Sequence, residues 1–231
     1  GDAEAATQIL REKGLSKAAK RSDRDNTDGA VALAQDGDKV AVVLLRSETD
    51  FSAKSDDFVA VAQKLADVAL AGGDPAVDCA TDIEDLMLTK KENIDIGAVH
   101  IVEAAEGNTL DTYLHVQDGR GSIGIVVEGS GVAEDALHSI ALHCAFANPR
   151  FLDKSEVSED DVAKEREALL EITKSEGKPE AAWDKIVDGR LGAWYKESVL
   201  LEQGLNGDKV TVAETAAPGT VVRFVQARIG A

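Results

Sequence analysis

The sequence predicts an α+β fold of two related subdomains, each with a three-stranded antiparallel sheet and helices, plus a projecting helical hairpin. The first reason is an internal repeat, because residues 30–72 and 109–146 both read as strand, Asp-Gly turn, strand, loop and amphipathic helix. The second is a pair of highly charged helical segments within residues 158–199, whose narrow apolar stripe is typical of a hairpin outside the main core. The third is composition, since 231 residues with 44% hydrophobic and 29% charged side chains are typical of a globular protein.

The first predicted element is a helix over residues 3–21, and a polar linker over residues 22–29 follows it. Within the helix, Gly14 reads as a C′ residue that interrupts it. The apolar side of the helix is formed by Ala6, Ile9, Leu10 and Leu15. One helix cannot bury its own stripe, so this side needs a neighbouring element.

The first copy of the repeat starts with two strands, residues 30–34 and 39–45, around an Asp-Gly hairpin signal. A helix opens at Ser55 and ends at Gly72-Gly73. Its apolar stripe consists of Phe58, Val61, Ala62, Leu65, Val68 and Ala69. Residues 72–92 read as a short linker.

The second copy contains strands 109–116 and 123–128 around Asp118-Gly119, and a helix that runs from about residue 133 to Asn148-Pro149. Each copy still lacks a third strand. We expect residues 94–104 to supply it to the second copy and residues 220–229 to return to the first.

The inserted hairpin has a capping-box-like start at Ser158, with Asp161 in place of Glu, and Gly177-Lys178-Pro179 separates its two helices. The chain thus divides into four predicted parts. They are a remnant helix and linker over 1–22, a first core subdomain of 23–93 with 208–231, a second of 94–157 with 200–207, and the hairpin of 158–199.

The charge balance excludes some classes of partner. Lys and Arg total 25 against 43 Asp and Glu, so the net charge is −18, which opposes direct binding of nucleic acid or an anionic membrane. A basic run between Arg11 and Arg24 is read as a solvated helix face. With two cysteines and no apolar run of 18 residues, we expect free thiols and a soluble, cytoplasmic protein.

No motif of an enzyme, cofactor site or metal site is found in the sequence. A phosphate loop, a nucleophile elbow, a His-Glu-x-x-His motif and zinc spacing are all missing. His143 and Cys144 are neighbours on a helix and point to different faces, so they do not form a nucleophile–base pair, and packing is the favoured interpretation of His143. We therefore predict no catalytic residues and no cofactor.

The polar turn between the strand ending at Leu45 and the helix opening at Ser55 is the best candidate site, because such junctions often present functional residues. It contains Thr49, Asp50, Phe51 and Ser52. Polar neighbours leave Phe51 without a local apolar patch, so the ring is displayed for a partner. The alternative is that Phe51 folds under Phe58 as a hydrophobic staple.

The residues Thr49-Asp50-Phe51, followed by Ala53-Lys54, resemble the Thr-Asp-Phe-Val-Ala-Lys signature of the elongation factor Ts family. Further segments resemble the family in the right order, among them Tyr113-x-His115, the stretch 141–149, and the hairpin signatures between residues 165 and 203. Residues 9–21 are similar to the last helix and exit linker of the family's N-terminal three-helix module. We therefore expect the chain to begin inside that module, without its first two helices.

The resemblance implies a guanine nucleotide exchange factor that binds the GTPase elongation factor Tu and promotes GDP release. It implies that Phe51 is a wedge beside the partner's Mg²⁺ and phosphate site, with Asp50 as a polar contact. It also implies that Tyr113 and His115 lie in a second grip on another domain of the partner, and that the hairpin is an auxiliary arm. A homodimer is left open.

Several positions depart from the family pattern. Ser52 stands in place of Val, Lys90-Lys91-Glu92 replaces Lys-Ile-Gly-Glu, and Gly97-Ala98 replaces two arginines. These departures motivate a first alternative, a binding module with the same fold but without exchange activity. A second alternative, a small hydrolase with an unrecognised site, rests only on the abundance of carboxylates.

Overall fold

The computed structural model describes residues 3–230, and side chains from residue 8 onward. The strands are β1 (Asp28–Asp36), β2 (Lys39–Ser47), β3 (Asp95–Glu103), β4 (Asn108–Gln117), β5 (Arg120–Ser130) and β6 (Thr220–Arg228). The helices are α1 (Ala3–Ala19), α2 (Asp50–Ala53), α3 (Asp56–Leu70), α4 (Pro75–Asp78), α5 (Ala80–Lys90), α6 (Glu134–Ala147), α7 (Glu159–Ser175), α8 (Trp183–Ser198) and α9 (Val212–Ala216). The α+β class is confirmed.

The strands form one six-stranded sheet in the order β3-β2-β1-β5-β4, with β6 paired to β5. β1 and β2 form a hairpin in continuous antiparallel register from Asp28↔Ser47 to Asp36↔Lys39. β1 meets β5 through the single pair Val31↔Gly121. The sheet therefore consists of two groups of three strands that are joined at one point.

The predicted partners of the two third strands are wrong. β3 pairs with β2, from Lys39↔Glu103 to Arg46↔Asp95, and β6 pairs with β5, so each third strand joins the other hairpin. A physical reason for the first pairing lies at its end, where Arg46 donates two hydrogen bonds of 2.8 Å to the Asp95 carboxylate. Such a bidentate contact fixes the register of the two strands.

By their contacts, the residues divide into two compact units. One comprises the chain up to Val126 together with the residues from Val225, and the other comprises Val127–Phe224. The division into four parts, with its boundaries at residues 22, 93, 157 and 199, stays a prediction.

The first unit buries both faces of the β1–β2 hairpin. On one face Ala41, Val43 and Leu45 pack with Phe58 and Leu65 of α3. On the other face the alternate residues of β2 pack with Val126 and Ala227. Double burial explains why residues 40–45 are apolar without interruption, since each face of the strand meets a core.

Residues 72–92, predicted as a short linker, instead hold α4 and α5. Asp74 caps α4 by accepting a hydrogen bond from the Ala76 amide at 3.0 Å, and Pro75 occupies the first helical position. This Asp-Pro pair is a helix-start signal present in the sequence. Leu86 of α5 is buried in the core that lies under α3.

α1 runs through Gly14 without a break, so the predicted interruption is wrong. A Cβ added at Gly14 would lie 2.3 Å from a methyl carbon of Leu88, which shows that the glycine permits close approach of α1 and α5. Ile9 and Leu10, predicted on the apolar side, are mostly exposed, while Ala18 is buried. Ala6 lies outside the residues whose side chains are described, as do Gly1 and Asp2.

The second unit contains α6 to α9. Ser158 caps α7 by accepting a hydrogen bond from the Asp161 amide at 3.1 Å, as its sequence predicts. α7 and α8 pack against each other, and the Arg190 guanidinium binds the Glu176 carboxylate across the hairpin at 2.7 Å. α9, which was not predicted, starts with a Thr211/Glu214 capping box, a helix-start signal that is present in the sequence.

Candidate functional site

The turn predicted as the site forms the four-residue helix α2. Thr49 is its N-cap, and the Thr49 hydroxyl accepts a hydrogen bond from the Ser52 amide at 3.3 Å. Ser52 is 3% exposed and Ala53 is fully buried, whereas Phe51 is 85% exposed. The helix thus seats two small residues inward and directs its one aromatic ring into solvent.

The staple alternative for Phe51 is wrong. Phe58 is fully buried, and the residue of the turn that joins its core cluster is Ala53. The ring of Phe51 therefore contributes little to folding and is free to contact another molecule.

The backbone of the turn is anchored to the loop that follows α5. The Glu92 carboxylate accepts hydrogen bonds from the amides of Glu48 and Thr49, and from the hydroxyls of Thr49 and Ser52. The Glu48 carboxylate in turn accepts a hydrogen bond of 2.6 Å from the Asn93 amide. Glu92 is not among the predicted site residues, because 40 residues separate it from Ser52 and no local pattern connects them.

Asp50 takes part in a chain of charges. Lys54 lies 2.8 Å from the Asp50 carboxylate and 3.1 Å from that of Asp118, in the turn between β4 and β5. The hydrogen bond from Lys54 lowers the pKa of Asp50, and the two carboxylates raise the pKa of Lys54. Asp50 is therefore ionised at neutral pH and held beside Phe51.

Tyr113 and His115 lie on the same face of β4, and the Tyr113 hydroxyl is 3.0 Å from Nδ1 of His115. His115 is exposed and lines a recess of about 370 Å³ together with Arg120, Ser122 and Arg228. Both sets of predicted site residues belong to the same unit. Lys54, which pairs with Asp50, also pairs with Asp118 in the turn that follows β4.

His143 packs, as the sequence reading favoured. It is 3% exposed, and the Asn206 amide donates to its Nδ1 at 3.0 Å. Nε2 therefore carries the proton and donates to the Gln203 side chain at 2.9 Å. Burial lowers the pKa of His143.

The two cysteines are buried free thiols, as expected. Burial raises the pKa of Cys144 to about 12 and also raises the pKa of Cys79. Thiols held in the protonated form are poor nucleophiles, so neither supports a hydrolase site.

The part of the chain that the structure describes offers neither a metal site nor a membrane-spanning helix. Between residues 3 and 230, acidic, cysteine and histidine side chains do not gather in groups of three or more that could hold a metal ion. In the same part of the chain, none of the helices combines the length and apolar character needed to cross a membrane.

Comparison with known proteins gives consistent matches. A family model described as elongation factor TS matches residues 48–231. Elongation factor Ts of Cutibacterium acnes is 40% identical over 248 residues, which cover 100% of this chain and 88% of that protein. Elongation factor Ts of Deinococcus deserti is 35% identical over 245 residues, with 100% and 89% covered. Elongation factor Ts of Deinococcus radiodurans is also 35% identical, over 246 residues.

Proposed function

This chain belongs to the elongation factor Ts family, and on that basis we propose that it is a guanine nucleotide exchange factor that binds elongation factor Tu and promotes GDP release. It acts in translation elongation. It performs no covalent chemistry, requires no cofactor and works in the cytoplasm. Its net charge of −18 argues against direct contact with nucleic acid.

The mechanism follows from binding equilibria. A GTPase holds its nucleotide through phosphate contacts and Mg²⁺. A factor that binds the empty GTPase more tightly than the loaded one must lower the affinity for the nucleotide by the same ratio. The factor therefore needs a rigid group that fits only when the nucleotide site is distorted.

Phe51 is the residue we assign to this role. Its 85% exposure on a short, anchored helix is the single observation that supports the assignment most strongly. A rigid aromatic ring provides a large apolar contact with little loss of side-chain entropy. The ionised Asp50 beside it supplies a polar contact, and Thr49 and Ser52 shape the turn.

His115 and Tyr113 are assigned to a second contact with the partner. The hydrogen bond between them restrains both rings on the exposed face of β4. The recess beside His115 is lined by Gln117 and Ser122 as well, so this surface offers polar side chains to the partner.

The test measures the release of a fluorescent GDP derivative from elongation factor Tu, with and without this protein. We expect the protein to accelerate release. Binding without acceleration would instead support the exchange-inactive module. The hydrolase alternative is not favoured, because membership of the family accounts for the chain without a catalytic site.

A further inference from the structure

We propose that Glu92 is a positioning residue for nucleotide exchange, which holds residues 48–52 in the conformation that displays Phe51. This inference rests on the proposed function of that turn. Glu92 itself lies in a different segment, the loop between α5 and β3.

The contacts of Glu92 are concentrated on the turn. Its Oε2 accepts hydrogen bonds from the amides of Glu48 at 3.1 Å and Thr49 at 3.2 Å. Its Oε1 accepts hydrogen bonds from the hydroxyls of Thr49 at 2.7 Å and Ser52 at 2.6 Å. One side chain thus binds the residues on both sides of Asp50-Phe51.

The two oxygens of the Glu92 carboxylate accept hydrogen bonds from all four groups that face them, and two of these donors are backbone N–H groups, which can only donate. The hydroxyls of Thr49 and Ser52 can also accept, so a Gln at position 92 can keep the contacts by turning its oxygen to the amides and its NH₂ group to the hydroxyls. Substitution by Ala removes all four contacts. Glu92→Ala therefore tests the role, and Glu92→Gln is the conservative variant that should retain it.

The helix needs such support because of its length. A helix of four residues has no intrinsic stability, so its conformation depends on contacts made by its ends. Thr49 is the N-cap and Ser52 is the third helical residue, so fixing both also fixes the direction of the Cα–Cβ bond of Phe51. A displayed ring that is already in place binds without the entropy cost of ordering the turn.

The loop that carries Glu92 is itself anchored. The Asn93 side chain donates hydrogen bonds to the carbonyls of Ser22 at 3.1 Å and Arg24 at 2.7 Å. The Asn93 amide donates to Glu48, so the two loops bind each other in both directions. Glu92 thus provides a fixed point for the turn.

The departure from the family signature at Ser52 is explained by the same contact with Glu92. The hydroxyl of Ser52 reaches Glu92, which the apolar Val of the family signature could not do. The substitution therefore adds a donor to the carboxylate, and it does not loosen the turn.

The experiment compares the unsubstituted chain with Glu92→Ala and Glu92→Gln, and uses Glu106→Ala as a control that also removes one carboxylate, from the exposed turn between β3 and β4. GDP release from elongation factor Tu is measured over a range of factor concentrations. For Glu92→Ala we expect the half-maximal concentration to rise about tenfold and the maximal rate to change little, because a partner at saturation selects the displayed conformation. Glu92→Gln should remain near the wild type, and Glu106→Ala should match it.

Two further measurements separate positioning from general stability. Amide hydrogen exchange should be faster at Glu48 and Thr49 in Glu92→Ala, with the strands of the first unit unaffected. The double variant Glu92→Ala/Phe51→Ala should promote nucleotide exchange no worse than Phe51→Ala alone, since Glu92 acts through that ring.

The outcomes are distinct. If Glu92→Ala behaves like Glu106→Ala, or if its effect adds to that of Phe51→Ala, the positioning role is overturned while the proposed function stands. If the wild-type protein itself fails to accelerate GDP release, the proposed function is overturned, and the positioning role in exchange falls with it. Should Glu92→Ala melt early, Ser52→Ala removes a single donor to Glu92 and should raise the half-maximal concentration about twofold to threefold; an unchanged value would overturn the positioning role.

Discussion

At the scale of single residues, the exposure of Phe51 predicts that its ring matters for binding and not for folding stability. We expect Phe51→Ala to leave the melting temperature nearly unchanged, because an 85% exposed ring contributes little to the core. Binding to elongation factor Tu should weaken by about 2 kcal/mol or more, as for other aromatic hot spots. A thermal melt and a GDP-release assay on the same variant check both parts. A strongly lowered melting temperature with normal exchange would contradict the role of Phe51 as a wedge.

Asp50 offers a companion test at the same scale. Its carboxylate is more than half exposed and pairs with Lys54, so Asp50→Ala should barely affect folding. Loss of exchange in this variant would place Asp50 at the interface. Unchanged exchange would limit its role to the ion pair with Lys54, and Lys54→Ala is the control for that pair.

The burial of His143 predicts that folding stability depends on pH. Burial lowers its pKa in the folded state, so below the ordinary value near 6.5 the unfolded chain binds a proton more readily than the folded chain. The stabilising contribution of neutral His143 is therefore present above about pH 6.5 and is lost as the pH falls towards the lower folded-state pKa. His143→Gln should show a smaller loss of melting temperature between about pH 7.5 and about pH 5.5 than the wild type. Equal losses would show that His143 does not control this dependence.

At the scale of elements, the end of α5 carries local strain. Lys91 is the C-cap and has φ 61° and ψ 32°, a left-handed conformation that side chains with a Cβ disfavour. We expect Lys91→Gly to raise the free energy of unfolding by about 1 kcal/mol. Denaturant unfolding measures this change, and Lys91→Ala, which keeps the Cβ, should give little of the gain. A destabilised Lys91→Gly would mean that the Lys91 side chain makes contacts that outweigh the strain.

The other departures from the family pattern also have structural reasons in their elements. Lys90 lies 2.7 Å from the Asp57 carboxylate and thereby ties the end of α5 to the start of α3. A Cβ at Gly97 would lie 2.8 Å from the side-chain carbons of Arg46, so the glycine lets Arg46 cross β3 and reach Asp95. These substitutions fit the packing of the first unit and give no reason to expect loss of exchange.

At the scale of the whole molecule, the pairing of β2 with β3 can be tested. If β2 and β3 are neighbours, Arg46 and Asp95 are coupled. A double-mutant cycle of Arg46→Gln and Asp95→Asn should then give a coupling energy of about 0.5–1 kcal/mol, as for a partly exposed bidentate pair. A coupling energy of zero would favour the arrangement predicted from the sequence, in which residues 220–229 supply the third strand of the first copy.

Local signals in the sequence were sufficient for most helices, both hairpin turns and the exposed tip. The turn at Asp118-Gly119, for example, has positive φ at both residues, as its sequence requires. The partner of each third strand could not be predicted, because β3 and β6 have similar apolar patterns and either could cover either hairpin. Glu92 was missed for the same reason, since its role depends on contacts between residues far apart in the chain.

The two faces of β2 differ in when they can be covered during synthesis. The face under α3 is covered by residues between Ala30 and Ile94, which leave the ribosome early and in sequence. The opposite face packs with Leu110, Leu114 and Val126, and also with Val225, Ala227 and Ile229, so its cover is completed only when residues 225–229 have been made. Val40, Val42 and Leu44 therefore keep part of their apolar surface open to other molecules in a growing chain until those last residues are in place.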